Sequence, residues 1–181
     1  AEPARRLSDP FAECASTCAE ARQLRALLVE VALDLGFHFF ALVDHVSMVA
    51  PSASLIRIDN YPEHWVHELL ALGQPADDPV HAASRRTNLG FQWTELPTLI
   101  PMNRRHRHIL ERSRHHGFGT GFTIPANVPG EPSASCTFVV RRGFELPFQR
   151  LRCAELVGTH ALRAARRLRS FATPPQPPRL S

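Results

Sequence analysis

The stretch Asn60–Val80, NYPEHWVHELLALGQPADDPV, sets three hydrogen-bonding side chains among aliphatic residues: Tyr61, Trp65 and Asp78. Phenol and indole each join an apolar body to one polar handle, and a buried handle normally finds a partner. A carboxylate in the same surroundings needs a donor, because a buried unpaired charge is costly. Two donors and one acceptor suit a small molecule that offers two carbonyls and one amide N–H. The alternative is structural, with Asp78 as a plain helix N-cap and the two rings as core. Composition leaves both open.

Residue types that carry chemistry elsewhere do not assemble into a motif. His106 and His108 are two apart, and His115 and His116 are adjacent. Metal-binding histidines on a helix sit at i and i+4, so that both rings share a face. These pairs diverge, and surface histidines among arginines fit better; no metal or cofactor is expected. GFGTGF (Gly117–Phe122) lacks the GxGxxG spacing and lies between a helix and a strand in the reverse of a dinucleotide site. It reads as a helix stop and a tightly packed strand entry. There is no GxSxG elbow and no P-loop, and the serines of SASC have no His close by in sequence to complete a nucleophile–base pair. No catalytic residue is assigned, and the chain is not read as an enzyme.

Charge and cysteine usage narrow the partners. The formal charge of +4 comes wholly from Arg, since the chain has no Lys. The arginines gather in Asn103–His116 and Arg163–Arg169, which read as solvated helix faces rather than a nucleic-acid site. Cys14, Cys18, Cys136 and Cys153 match no CxxC spacing, and reduced cysteines of a cytoplasmic protein are the better reading. No apolar run reaches the roughly 18 residues that span a bilayer, and the N-terminal stretch lacks the apolar core of a secretory signal. No membrane partner is expected.

The elements that must position Tyr61, Trp65 and Asp78 follow from periodicity. Leu24, Leu27, Leu28, Val31 and Leu35 repeat at helical spacing, which predicts a helix over 12–35 that Gly36 stops. Phe37–Val46 and Leu55–Tyr61 read as strands with a Pro/Ser loop, APSAS, between them. Pro62 opens a helix with Trp65, Leu69 and Leu72 on one side, and Asp78–Pro79 opens a shorter one. A helix over 103–116 ends at Gly117, two strands follow around the turn PGEP, and a long helix covers about 147–171. Leu156, Val157, His160, Ala164 and Leu168 are placed on its inner face. The order predicts an α+β fold: an α-β-α sandwich with a central antiparallel sheet of about five strands and helices on both faces. Residues 1–172 form one domain, and the tail, 173–181, reads as a proline-rich linker.

NYPEHW, then DDPV, FQW and GTGFTIP in that order, resemble the autoinducer-binding domain of LuxR-type quorum-sensing receptors over roughly residues 20–170. The resemblance implies a pocket for an N-acyl-homoserine lactone between the sheet and one helical layer. It implies that Trp65 donates to the lactone carbonyl, Tyr61 to the amide carbonyl, and that Asp78 accepts the amide N–H. Trp93 would wall the lactone end, Ala41 and Val43 would line the pocket from their strand, and Gly121 would allow close packing. The small polar pocket residue of the strand SASCTF would fall at Cys136 or Ser135.

Two positions depart from the family. Leu69 stands where many members carry a second tyrosine, which leaves the pocket roomier and less polar. Arg57 lies on the same strand parity as Tyr61, where it would pair with Asp59 or meet a polar or anionic ligand group. The expected function is therefore the ligand-binding domain of a LuxR-type regulator that senses an acyl-homoserine lactone or related autoinducer. It would couple binding to homodimerisation, and to DNA binding through a C-terminal helix-turn-helix that begins beyond this chain. The alternatives are an orphan receptor for a non-lactone metabolite, and an interaction module that titrates full-length regulators.

Overall fold

The computed structural model describes residues 2–45, 56–72 and 77–172. In chain order the elements are α1 (Glu2–Thr17), α2 (Ala21–Leu35), β1 (Phe39–Asp44), β2 (Arg57–Asp59), α3 (Glu63–Leu72) and α4 (Pro79–Ser84). They continue with β3 (Phe91–Gln92), α5 (Leu96–Leu99), α6 (Arg104–His115), β4 (Phe118–Ala126), β5 (Ala134–Arg141) and α7 (Leu151–Ala172). The APSAS loop and the tail 173–181 lie outside the described residues.

The single helix expected over 12–35 is two helices. Glu20 takes extended backbone, φ −138° and ψ 149°, and forms a capping box with Gln23. The Gln23 side chain accepts from the backbone N–H of Ala19 at 2.8 Å and of Glu20 at 3.2 Å, which starts α2 afresh without a proline or glycine. Gly36 does stop α2: its φ of 91° is left-handed, and its N–H returns to the Leu33 carbonyl at 2.9 Å. Gly117, at φ 88°, ends α6 in the same way.

The five strands pair antiparallel throughout, in the order β2-β1-β5-β4-β3. Alternation along each strand divides the side chains between two layers. Phe40 and Leu42 of β1, with Cys136, Phe138 and Val140 of β5, meet Leu24 and Leu28 of α2 and Val157 of α7 in one continuous core. Each such Phe, Leu or Val contributes about 1.5–3 kcal/mol through burial. Leu156 does not join them: it is 45% exposed, and the sheet-facing stripe of α7 runs through Cys153, Val157, Ala161 and Ala164. The other parity of the sheet faces α3, α4, α5 and α6, where packing is split into two smaller clusters.

At the far end of β1, Asp44 is buried and its Oδ2 accepts from Arg169 of α7 at 2.9 Å and from the Ile56 backbone at 2.9 Å. The arginines of α6 lie largely in solvent, as charge alone predicted, but His106 is buried and caps α6 with Asn103. Among the described residues, no helix is long and apolar enough to cross a membrane.

Candidate ligand-binding site

Between the two smaller clusters and the sheet lies a cavity of about 260 Å³. Eight of the sequence-assigned residues line it: Ala41, Val43, Arg57, Tyr61, Trp65, Leu69, Asp78 and Trp93. They arrive from β1, β2, α3, the cap of α4 and the turn after β3, so the fold brings together what the sequence spreads widely.

The aromatic end is built on Phe118. Its ring stacks on Phe39 at 4.7 Å between centroids, meets Tyr61 edge-on at 4.8 Å, and meets Trp65 edge-on at 6.0 Å. Such tilted contacts suit the ring quadrupoles and fix the two polar-tipped rings. Trp65 is only 3% exposed. Tyr61 is also held through its backbone N–H, which donates to Asp59 Oδ1 at 3.1 Å, while Arg57 Nε donates to Asp59 Oδ2 at 3.1 Å. Arg57 therefore stands at the rim paired with Asp59.

Asp78 combines the two readings that sequence left open. Its Oδ1 accepts from the Val80 N–H at 2.8 Å, and Pro79 occupies the first helical position, so it is an N-cap. It also lines the cavity, and its second oxygen takes no hydrogen bond from the described residues. The Tyr61 hydroxyl and the Trp65 indole N–H likewise have no hydrogen-bond partner among the described residues. Burial, and after it the Asp78 and Asp59 carboxylates, push the Tyr61 phenol well above its ordinary value. The hydroxyl thus stays protonated and able to donate.

Trp93 is oriented differently. Its indole N–H donates to Thr123 Oγ1 at 3.1 Å, and Thr123 shares a hydrogen bond with Thr137 Oγ1 at 2.9 Å. The ring lies against β4 at Gly121, where an added Cβ would come within 2.6 Å of Trp93 Cε2. An alanine there would displace the ring.

The polar residue of β5 at the cavity is Thr137, which corrects the expectation of Cys136 or Ser135. Cross-strand register decides it: Ala41 pairs with Thr137 and Leu42 with Cys136, so Thr137 shares the cavity side with Ala41 while Cys136 faces the main core. Burial pushes the Cys136 thiol far up, so it remains an uncharged core group. Ser135 has the parity of Thr137 but is buried, with its hydroxyl 2.8 Å from His45 Nε2.

Sequence reading also missed the brace behind Trp65. Glu68 of α3 bonds to Arg112 and lies 2.5 Å from His116 Nε2, tying α3 to α6. The His116 ring sits 5.1 Å from the Trp65 ring. The hydrogen bonds from Arg112 and then His116 hold the Glu68 carboxyl down at about 2. His116 is thus a bracing residue, not the surface histidine expected, and nothing in the spacing of HH signals a partner on another helix. His81 and His45, at the cavity margin, were equally silent in sequence.

Residues 20–168 match the family described as the autoinducer binding domain. The chain belongs to that family. Autoinducer-binding domains are the ligand-binding parts of LuxR-type regulators, a family of signal sensors rather than enzymes. The fold is shared with Escherichia coli SdiA, at a TM-score of 0.72 and 21% identity over 96% of this chain and 72% of that one. It is shared too with CepR2, an N-acylhomoserine lactone dependent LuxR family transcription factor from Burkholderia cenocepacia, at 0.69 and 17% over 93% and 98%. A third similar structure is SdiA in complex with octanoyl-rac-glycerol, at 0.69 and 22% over 92% and 66%. No curated protein matches the sequence.

Proposed function

We propose that this autoinducer-binding domain takes an N-acyl-homoserine lactone or a close amphipathic analogue into the cavity. The observation that carries the reading is a largely apolar pocket with three polar groups on its wall that have no partners among the described residues: the Trp65 N–H, the Tyr61 hydroxyl and one oxygen of Asp78. In this reading Trp65 donates to the lactone carbonyl, Tyr61 donates to the amide carbonyl, and Asp78 accepts the amide N–H. Each is a bond made on ligand entry, and a ligand lacking the matching group leaves a buried polar atom unpaired. Leu69 and the aliphatic residues of α6 hold the acyl chain. The cavity stands just below the usual range of about 300–1,000 Å³ for ligand pockets, which favours a short acyl group.

A second reading keeps the cavity and changes the signal to a non-lactone amphiphile. It is favoured by Leu69, by the Arg57–Asp59 pair at the rim, and by a similar fold having been seen with octanoyl-rac-glycerol. In the full-length regulator, a cytoplasmic protein in this reading, binding would stabilise the domain and be relayed to homodimerisation and DNA contact by a C-terminal domain.

The test is thermal unfolding of the 181-residue chain with a panel of acyl-homoserine lactones. A ligand at a hundred-fold excess over Kd should stabilise the fold by about 2.7 kcal/mol, raising Tm by several degrees. No shift across chain lengths and aryl variants would eliminate the lactone, and a shift with monoacylglycerols alone would establish the second reading.

A further inference from the structure

Two rings of a single turn bear on Trp65. The junction of α6 and β4, His116-Gly117-Phe118, passes through the left-handed φ of 88° at Gly117. The His116 ring lies 5.1 Å from the indole, tilted by 36°, and the Phe118 ring meets it edge-on at 6.0 Å and 68°. The hold on His116 comes back from α3 itself. Glu68 stands three residues after Trp65, one turn along the same helix. Its Oε2 lies 2.5 Å from His116 Nε2 and 3.1 Å from Arg112 Nη2, and its Oε1 bonds to Arg112 Nε.

These contacts form a closed circuit: Trp65 to Glu68 along α3, Glu68 to His116 across to α6, and His116 back to Trp65. The Glu68 carboxyl is ionised and accepts only, so the proton between the two groups sits on His116 Nε2. The fork of Arg112 fixes the carboxylate in turn. Glu68, Arg112 and His116 stand outside the cavity lining, in which Trp65 takes part. Glu68 and Arg112 are partly exposed, with 25% and 36% of their side chains open to solvent, and such ion pairs add little stability by themselves. The circuit acts chiefly on geometry. It holds the plane of the indole, that plane decides where the N–H points, and a hydrogen bond weakens steeply once its angle departs from linear.

We propose that Glu68 and His116 are positioning residues for ligand recognition: through the His116 ring, the Glu68 carboxylate sets the aim of the Trp65 N–H at the ligand's ring carbonyl from outside the cavity. The inference rests on the lactone reading of the cavity, with Trp65 as the donor. A Glu68 that no longer holds His116 releases one of the two rings that bear on the indole. The indole then keeps its apolar contacts with Phe118 but loses its fixed direction. The loss falls on the one ligand bond that Trp65 makes and leaves the bonds from Tyr61 and Asp78, which are held by other elements, in place.

Calorimetric titration of the 181-residue chain with octanoyl-homoserine lactone and with octanoyl cyclopentylamide tests this, since the second keeps chain and amide but has no ring carbonyl. The unsubstituted chain should bind the lactone about tenfold more tightly. Glu68→Gln and, independently, His116→Gln should bring the two ligands to within about twofold of each other, by weakening the lactone and sparing the cyclopentylamide. A merely structural brace would weaken both ligands alike, and a preserved tenfold preference in both variants overturns the proposal while leaving the lactone pocket intact. A readout on the unsubstituted chain stands beside these: the nuclear Overhauser contact between the His116 and Trp65 ring protons should persist in the lactone complex, and its disappearance on binding overturns the proposal too. Binding of neither ligand, or equal binding of both by the unsubstituted chain, overturns the lactone reading or the role of Trp65 in it, and the positioning role falls with it.

Discussion

The two faces of the sheet are finished differently. On the side of α1, α2 and α7, Phe37, Phe40, Phe138, Leu24, Leu28 and Val157 are fully buried in one uninterrupted core. On the side of α3 to α6, the apolar residues fall into two smaller groups with a cavity between them and the strands. The Trp65 indole N–H, the Tyr61 hydroxyl and one oxygen of Asp78 reach that side without partners among the described residues. Close packing and satisfied hydrogen bonds are the ordinary end state of a protein interior. One face reaches close packing alone, and the other stops short of it where a small molecule would supply the missing atoms.

Three measurements would break or sharpen this contrast. The largest effect should come from Phe138→Ala on the solid face, which opens a void in the main core and should cost about 3–5 kcal/mol in urea unfolding. Ligand should still stabilise what remains folded; a variant of unchanged stability would mean that the core is less continuous than its geometry says. Trp65→Phe should act on the other face, weakening lactone binding by about 1–3 kcal/mol while the ligand-free domain changes less. An unaltered ligand-induced Tm shift would remove Trp65 from its assigned role.

The smallest effect should be at the α3–α6 brace. The Glu68 carboxyl is lowered in the folded domain from 4.5 to about 2, so it binds fewer protons folded than unfolded in that window. Its stabilisation is present above about pH 4.5 and is lost as pH falls toward 2. Glu68→Gln should therefore lie below the unsubstituted domain at pH 6 and converge with it at the acid end. Parallel pH profiles would show that the brace is not electrostatic.

Much of this layout is legible in the sequence, because short-range physics decides it. Gly36 and Gly117 stop helices, Asp78–Pro79 caps one, and alternating strands with hairpin turns announce an antiparallel sheet. What stayed hidden depends on contacts between distant segments. Periodicity puts Ser135 and Thr137 on one side of their strand and Cys136 on the other, but only pairing with Ala41 and Leu42 tells which side is the cavity. The break between α1 and α2 rests on the backbone of Glu20 and a glutamine cap, with no glycine or proline to announce it. His116 meets Glu68, and His45 meets His81, across separations that no local motif spans.

The same alternation on β5 separates two kinds of mutational freedom. Cys136, Phe138 and Val140 belong to the main core, whereas Thr137 and Ser135 turn to the cavity and its margin, one residue away along the chain. Exchanges at the second set can retune what the pocket accepts without opening voids in the first. A strand of this kind lets ligand preference drift under selection while the scaffold stays put, and a library confined to positions 41, 43, 135 and 137 would explore new signals at little cost in folded protein.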